Sequence, residues 1–185
     1  MSTAPLEQAI ATTRSVLANV TPDQLDGDSP CSQWKVRDVV NHIVGGQHFF
    51  AAAVRGETPD GGETDFTSGD IVAAFDDAAQ QCVTGFQADG AMEKIVSLPF
   101  GDMPGSAVMG LVTTDTFTHA WDVAKATGQD TDLAPELADQ LLQGAQAMIQ
   151  PAFRSEEGTV FGFEQPAPDD APNADKLAAF LGRTV

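Results

Sequence analysis

Two histidines and one aspartate are the residues of this sequence best suited to hold a metal ion. Asp115 precedes His119 by four residues in a predicted helix, and side chains at i and i+4 project from one helix face. A histidine from a facing helix, His42, would complete a set of two imidazoles and one carboxylate. Such a set suits zinc, nickel or ferrous iron and leaves coordination positions for water or substrate.

The surroundings of Asp115 favour a metal, although two other interpretations stand beside it. An Asp–His pair at this spacing is often only a surface ion pair. Residues 112–121 contain no Lys, Arg or Glu, and burying a carboxylate without a cationic partner is costly. In a bundle without metal, His42 and His119 would be hydrogen-bonded polar residues of the core.

Other side chains close to His119 in the sequence are predicted to support the site. Asp122 follows His119 by three residues and lies near the same helix face, where it would orient a ligand or cap a neighbouring element. Trp34 and Trp121 are predicted to belong to the core or to a pocket wall.

Two further polar residues belong to the helix of His42. Asp38 precedes His42 by four residues, but its place in the first helical turn favours capping and a favourable interaction with the helix dipole. His48 is six residues past His42 and therefore lies about 240° around the helix. We expect His48 to be peripheral, with a role as a ligand the less favoured alternative.

Six helices are predicted to position these side chains. Apolar periodicity places them at about residues 5–19, 35–54, 70–87, 106–127, 134–149 and 173–181. Residues 21–32 and 56–69 are predicted loops, residues 94–98 an extended piece before a turn at 99–104, and residues 159–163 a short strand or arm. This pattern is typical of an all-α, up-and-down four-helix bundle with a decorated C-terminus, in which helices two and four face each other.

Composition excludes several classes of function. The 185 residues include 27 acidic and 9 basic ones, giving a net charge of −18. This acidic surface repels nucleic acids and anionic membranes, so neither is an expected partner. No apolar run approaches the ~20 residues of a membrane span, and the first residues do not resemble a secretory signal. We expect one cytoplasmic domain over residues 1–185.

The remaining motifs of catalytic proteins are missing from the sequence. Cys31 and Cys82 do not form a Cys-x-x-Cys zinc motif, and two unclustered thiols in a cytoplasmic protein are usually buried small residues. There is no Gly-rich phosphate loop, nucleophile elbow or His-Glu-x-x-His helix.

Three segments resemble a known family. Residues 30–46, PCSQWKVRDVVNHIVGG, resemble the second-helix motif of a known domain. That domain is the mycothiol-dependent maleylpyruvate isomerase N-terminal domain, of the DinB-like superfamily. Its second metal motif resembles residues 115–128, DTFTHAWDVAKATG. The tail of a single-domain branch of uncharacterised metal-binding proteins resembles residues 175–183, DKLAAFLGR. The resemblance extends over almost the whole chain.

The resemblance implies a DinB-like bundle that holds one divalent ion, usually zinc or nickel. Its ligands, carried onto this sequence, are His42, Asp115 and His119, with water or the thiolate of a small thiol such as mycothiol at the remaining positions. Two features depart from the family. This chain is too short for the further C-terminal domain of the isomerase, and Asp115 stands where other members often have the longer Glu or a His. Since DinB-like bundles often pair, a homodimer is a further expectation.

Two functions remain open at this stage. The leading hypothesis is a metal-dependent transferase or isomerase that joins a small thiol, such as mycothiol, with an electrophilic substrate. The alternative is a non-catalytic metal-binding or stress-response module with a structural or sensory metal. A fourth protein ligand, such as His48 or Asp122, would favour the module, because structural zinc sites are usually closed by four protein ligands.

Overall fold

The computed structural model describes residues 2–31, 33–58, 64–155 and 161–185. The fold is mainly helical, with 60% of these described residues in helices. The helices and strands in chain order are α1 (Ala4–Leu17), α2 (Val36–Arg55), α3 (Ile71–Gln87), β1 (Ile95–Leu98), β2 (Gly101–Pro104), α4 (Gly105–Ala126), α5 (Pro135–Met148) and α6 (Asn173–Phe180). Part of the predicted loop at 56–69 and the first two residues of the predicted strand or arm at 159–163 lie outside the described residues. Of the remaining three, Phe161 forms an isolated bridge with Arg154.

The first four helices form a bundle. Both α1 and α2 pack against α3 and α4, so α1 and α2 occupy opposite corners. The helices α5 and α6 pack on each other, and α6 also contacts α4. This arrangement confirms the predicted all-α, DinB-like fold and places α2 against α4. Within the described parts of the chain, no helix is both long enough and apolar enough to cross a membrane.

Helix α2 carries one half of the candidate site and has well-defined ends. Asp38 Oδ2 accepts a hydrogen bond of 2.8 Å from the Lys35 backbone N–H, which is the N-terminal capping role predicted for Asp38. Gly56 ends the helix in the left-handed conformation, with φ of 79°. The helix continues through Gly45 and Gly46 without interruption. His42 is therefore held on a regular, capped helix.

A β-hairpin leads directly into α4. Strands β1 and β2 are antiparallel, with Ile95 paired to Pro104. The sequence predicts a turn over residues 99–104, which is wrong for residues 101–104 because they form β2. Gly and Pro are unfavourable in strands, so the sequence of β2 does not indicate a strand. A Cβ atom on Gly105 would lie 1.9 Å from the Ala91 carbonyl oxygen. Only glycine fits at this close contact, which lies at the first residue of α4.

Candidate metal centre

Helices α2 and α4 bring the three predicted ligands together. His42 Nε2 lies 3.2 Å from both carboxylate oxygens of Asp115, and His119 Nε2 lies 3.6 Å from Asp115 Oδ1. One donor atom from each of the three residues lies within 4.8 Å of the other two. The two nitrogens and one oxygen are the donor types that zinc and nickel accept, so the residues present fit a divalent ion.

The site opens toward solvent on the side of His42 and Asp115. Their side chains are 35% and 29% exposed, whereas that of His119 is 10% exposed. Gly46 lies beside the carboxylate, and a Cβ atom there would make ordinary van der Waals contact with Asp115 Oδ2 at 3.8 Å.

Trp34 forms an aromatic wall beside the two histidines. Its ring centroid is 4.9 Å from that of His42 and 5.6 Å from that of His119. The two imidazoles meet edge to face, with centroids 4.5 Å apart. Ring packing on this side limits the rotation of both imidazoles and leaves the opening on the carboxylate side.

Asp122 determines which nitrogen of His119 is free. Asp122 Oδ2 lies 2.9 Å from His119 Nδ1. Burial opposes ionisation of Asp122, but the His119 hydrogen bond and the Arg183 charge outweigh it and lower the pKa of Asp122 to about 2. An ionised carboxylate only accepts hydrogen bonds. The hydrogen atom is therefore on Nδ1, which donates a hydrogen bond to Asp122. The other ring nitrogen, Nε2, then faces Asp115.

The facing groups of the site call for a cation. Across 3.6 Å, the Asp115 carboxylate and an Nε2 atom without a proton would both present lone pairs, which is repulsive unless a positive charge lies between them. Burial opposes the charged forms of Asp115 and His42. The charge of His119 and the hydrogen bond of His42 nonetheless lower the pKa of Asp115, and the Asp115 hydrogen bond raises the pKa of His42. A proton or a metal ion would satisfy this arrangement.

A second group of potential ligands lies on the Nδ1 side of His119 and already contacts a cation, the guanidinium group of Arg183. Cys31 Sγ, His119 and Asp122 also have donor atoms within 4.8 Å of one another. Arg183 Nη2 lies 2.9 Å from Asp122 Oδ2 and 3.4 Å from Cys31 Sγ. Burial and the negative charge of Asp122 raise the pKa of the Cys31 thiol to about 12. A guanidinium and a protonated thiol make this second group a poor metal site.

Two of the predicted residues, His48 and Trp121, have partners other than the three candidate ligands. His48 stacks on Phe66, with centroids 5.8 Å apart, and contributes no atom to either group of potential ligands among the described residues. Trp121 is fully buried among residues of α5 and α6, and its Nε1–H donates to Asp175 Oδ1 at 2.7 Å. Trp121 is thus a core residue, and Trp34 forms the wall.

Sequence reasoning missed two residues behind His119. The sequence indicates no role for Arg183 beyond the family resemblance of residues 175–183, and it predicts Cys31 to be a buried small residue. Cys31 is instead partly exposed, and its thiol donates to Asp122 Oδ2 at 3.3 Å. Both lie far from Asp122 in sequence, so no local spacing indicates these contacts.

Comparison with known proteins identifies the family. Residues 6–124 match the family model described as the mycothiol maleylpyruvate isomerase N-terminal domain. The chain is also 46% identical over 176 residues to "Uncharacterized protein Rv0738" and "Uncharacterized protein MT0763" from two strains of Mycobacterium tuberculosis, a similarity that covers 92% of this chain and 91% of each relative. No solved structure matches the chain significantly. The chain therefore belongs to the mycothiol maleylpyruvate isomerase N-terminal domain family.

Proposed function

We propose that this protein is a metal-dependent enzyme that uses a small thiol, with mycothiol the leading candidate, to transfer a group to a small electrophile or to isomerise it. The observation that carries the proposal is the convergence of His42, Asp115 and His119, whose donor atoms lie within 4.8 Å of one another. Family membership supports the choice of thiol, because mycothiol appears in the description of the family.

The three residues would hold one zinc or nickel ion. Such an ion lowers the pKa of a bound thiol or water and so supplies a nucleophile at neutral pH. His119 offers Nε2 because Asp122 engages its Nδ1. His42 must release the hydrogen bond between its Nε2 and Asp115 when it becomes a ligand.

The number of ligands supports an enzyme over a structural metal site. Structural zinc sites usually have four protein ligands, whereas catalytic sites keep a position for water or substrate. In the parts of the chain that the structure describes, neither Asp122 nor His48 joins the His42 group. Asp122 faces the opposite nitrogen of His119. The exposed edges of His42 and Asp115 give a small thiol a route to the ion.

The test is the visible spectrum of the cobalt-loaded protein during titration with mycothiol. A thiol sulfur that enters the coordination sphere is expected to add sulfur-to-cobalt charge-transfer absorption and to shift the ligand-field bands. The variant Trp34→Ala, which keeps all three ligands, should bind cobalt but bind the thiol with altered affinity. A wild-type spectrum that stays unchanged at saturating mycothiol contradicts the thiol-dependent function and favours a structural or sensory metal.

A further inference from the structure

The C-terminal tail enters the site through a well-defined turn at the end of α6. The Gly182 N–H donates to the Ala179 carbonyl at 3.0 Å, and the Arg183 N–H donates to the Ala178 carbonyl at 2.9 Å. These two bonds form a Schellman motif, with Gly182 in a left-handed conformation at φ of 101°. The turn fixes the direction in which Arg183 leaves the helix.

Close backbone packing holds this turn in place. A Cβ atom on Gly182 would lie 2.7 Å from the Cα atom of Gly162, so two glycine backbones meet here without side chains. Arg154 donates from Nη1 to the Gly162 carbonyl at 2.8 Å and to the Phe180 carbonyl at 2.7 Å. The tail is therefore attached to the body of the protein independently of the contacts that Arg183 makes.

Arg183 makes a two-point ion pair with Asp122. Its Nη2 and Nε lie 2.9 Å and 3.2 Å from the two carboxylate oxygens. The Asp122 side chain is completely buried, and that of Arg183 is 13% exposed. Asp122 in turn accepts the Nδ1–H of His119 at 2.9 Å. A continuous series of short contacts thus runs from the tail to the imidazole that faces Asp115.

We propose that Arg183 is a positioning residue of the metal centre, which acts through Asp122 to hold His119 with Nε2 directed at the ion. This inference rests on the proposed metal-binding function. Carboxylates behind metal-ligating histidines fix the tautomer and ring orientation, and their loss typically costs about 10–100-fold in metal affinity. The family match ends at residue 124, so a segment outside the matched domain completes the site.

The experiment must separate positioning of His119 from stability. Removing Arg183 alone leaves a buried charge on Asp122 and destabilises the fold. The double variant Asp122→Leu/Arg183→Met removes both charges, which is often neutral for stability when the replacements are apolar. Cobalt affinity is measured by titration, and the His119 ring tautomer is read from ¹⁵N chemical shifts of the metal-free protein at pH 8.

We expect the double variant to fold but to bind cobalt about 10–100-fold more weakly than the wild type. Its His119 should lose the preference for the Nδ1–H tautomer. Arg183→Lys, which keeps the charge and one donor, should recover part of the affinity relative to Arg183→Met. The control Arg14→Met removes an arginine whose ion pair is with exposed Asp76 and not with Asp122, and it should bind cobalt within threefold of the wild type.

Three results would overturn the inference, and each is distinct. Cobalt affinity of the double variant within threefold of the wild type would mean that Arg183 and Asp122 are structural only. Weaker binding with an unchanged His119 tautomer would mean that the effect does not pass through His119. A wild-type protein that binds no cobalt would overturn the proposed metal-binding function itself, and the inference with it.

Discussion

Two aspartates on α4 show how surroundings give one residue type two different roles. Asp115 lies four residues before His119 and Asp122 three residues after it. Asp122 is fully buried and paired with the permanent charge of Arg183. Asp115 is partly exposed and, among the described residues, makes ion pairs only with the two histidines. Asp122 is thus already neutralised, whereas Asp115 still lacks a permanent cation.

This difference shows that the two sides of His119 have different roles. Asp115 lies on the side of His119 that faces α2 and solvent, where an ion can enter. Asp122 lies on the side that faces Cys31 and the C-terminal tail, where it orients His119. The contrast predicts that loss of Asp122 costs more stability than loss of Asp115, whereas loss of Asp115 costs more metal affinity than loss of Asp122.

The largest expected effect is on the stability of the metal-free protein. Asp122→Ala leaves the Arg183 guanidinium buried and unpaired and should cost about 3–5 kcal/mol of unfolding free energy. Asp115→Ala removes a partly exposed hydrogen bond to His42 and should cost about 1 kcal/mol or less. Urea unfolding in the presence of a chelator measures both values. Equal losses in the two variants would contradict the contrast between the aspartates.

The order of the two variants should reverse when metal affinity is measured. Asp115→Ala removes a ligand, so we expect a loss greater than the ~10–100-fold that a supporting residue costs. Asp115→Asn keeps the shape but not the charge and should also bind metal poorly. Competition with a chromophoric chelator gives the affinities. If Asp115→Ala binds zinc as tightly as the wild type, the carboxylate is not a ligand.

The acid stability of the metal-free protein should depend on Asp122. Its pKa of about 2 in the folded state lies below the value of ~3.9 for an unfolded aspartate. The folded state therefore favours the ionised form, and the resulting stability is fully present above about pH 4 and is lost as the pH falls toward 2. The difference corresponds to about 2–3 kcal/mol.

The variant Asp122→Leu/Arg183→Met isolates this contribution to acid stability. Urea unfolding with chelator from pH 6 to pH 2 should show a smaller loss of stability in the variant than in the wild type. The control Asp76→Asn, which removes an exposed ion pair with Arg14, should follow the wild type because solvent screens exposed pairs. Parallel wild-type and double-variant curves would show that Asp122 does not contribute.

The smallest expected effect concerns the turn that delivers Arg183. Gly182→Ala introduces a methyl group 2.7 Å from Gly162 at a left-handed φ, and it should destabilise the protein by at least about 1 kcal/mol. Gly144→Ala is the matched control, because it lies inside α5 with open space around it and should stabilise the helix by about 0.5–1 kcal/mol. Thermal unfolding distinguishes the two; the same sign for both would contradict the packing at Gly182.

Local patterns in the sequence predicted the helices well. The apolar stripes of α2 and α4 and the flanking turn residues placed both helices to within one residue of their observed ends. The strand β2 was not predicted, because Gly101 and Pro104 are typical of turns and have low strand propensity. Pairing with β1 compensates for that low propensity in the folded chain. The order of the helices around the bundle also was not predicted, because it depends on long-range packing.

The sequence predicted the three candidate ligands but not the contacts on the other side of His119. The i, i+4 spacing and the family resemblance selected His42, Asp115 and His119, and the structure brings these three together. Their roles as ligands stay a prediction. The contacts of Asp122 with Cys31 and Arg183 join residues that are 91 and 61 positions apart. No local periodicity encodes such contacts, and only the folded chain reveals them.

The most direct test of the account is the metal content of the purified, tag-free protein beside His42→Ala/His119→Ala. Elemental analysis should find about one equivalent of zinc or nickel in the wild type and none in the variant, because three-ligand sites lose metal without their imidazoles. The absence of metal from both proteins, even after reconstitution with zinc and nickel, would contradict the central claim that α2 and α4 build a metal site.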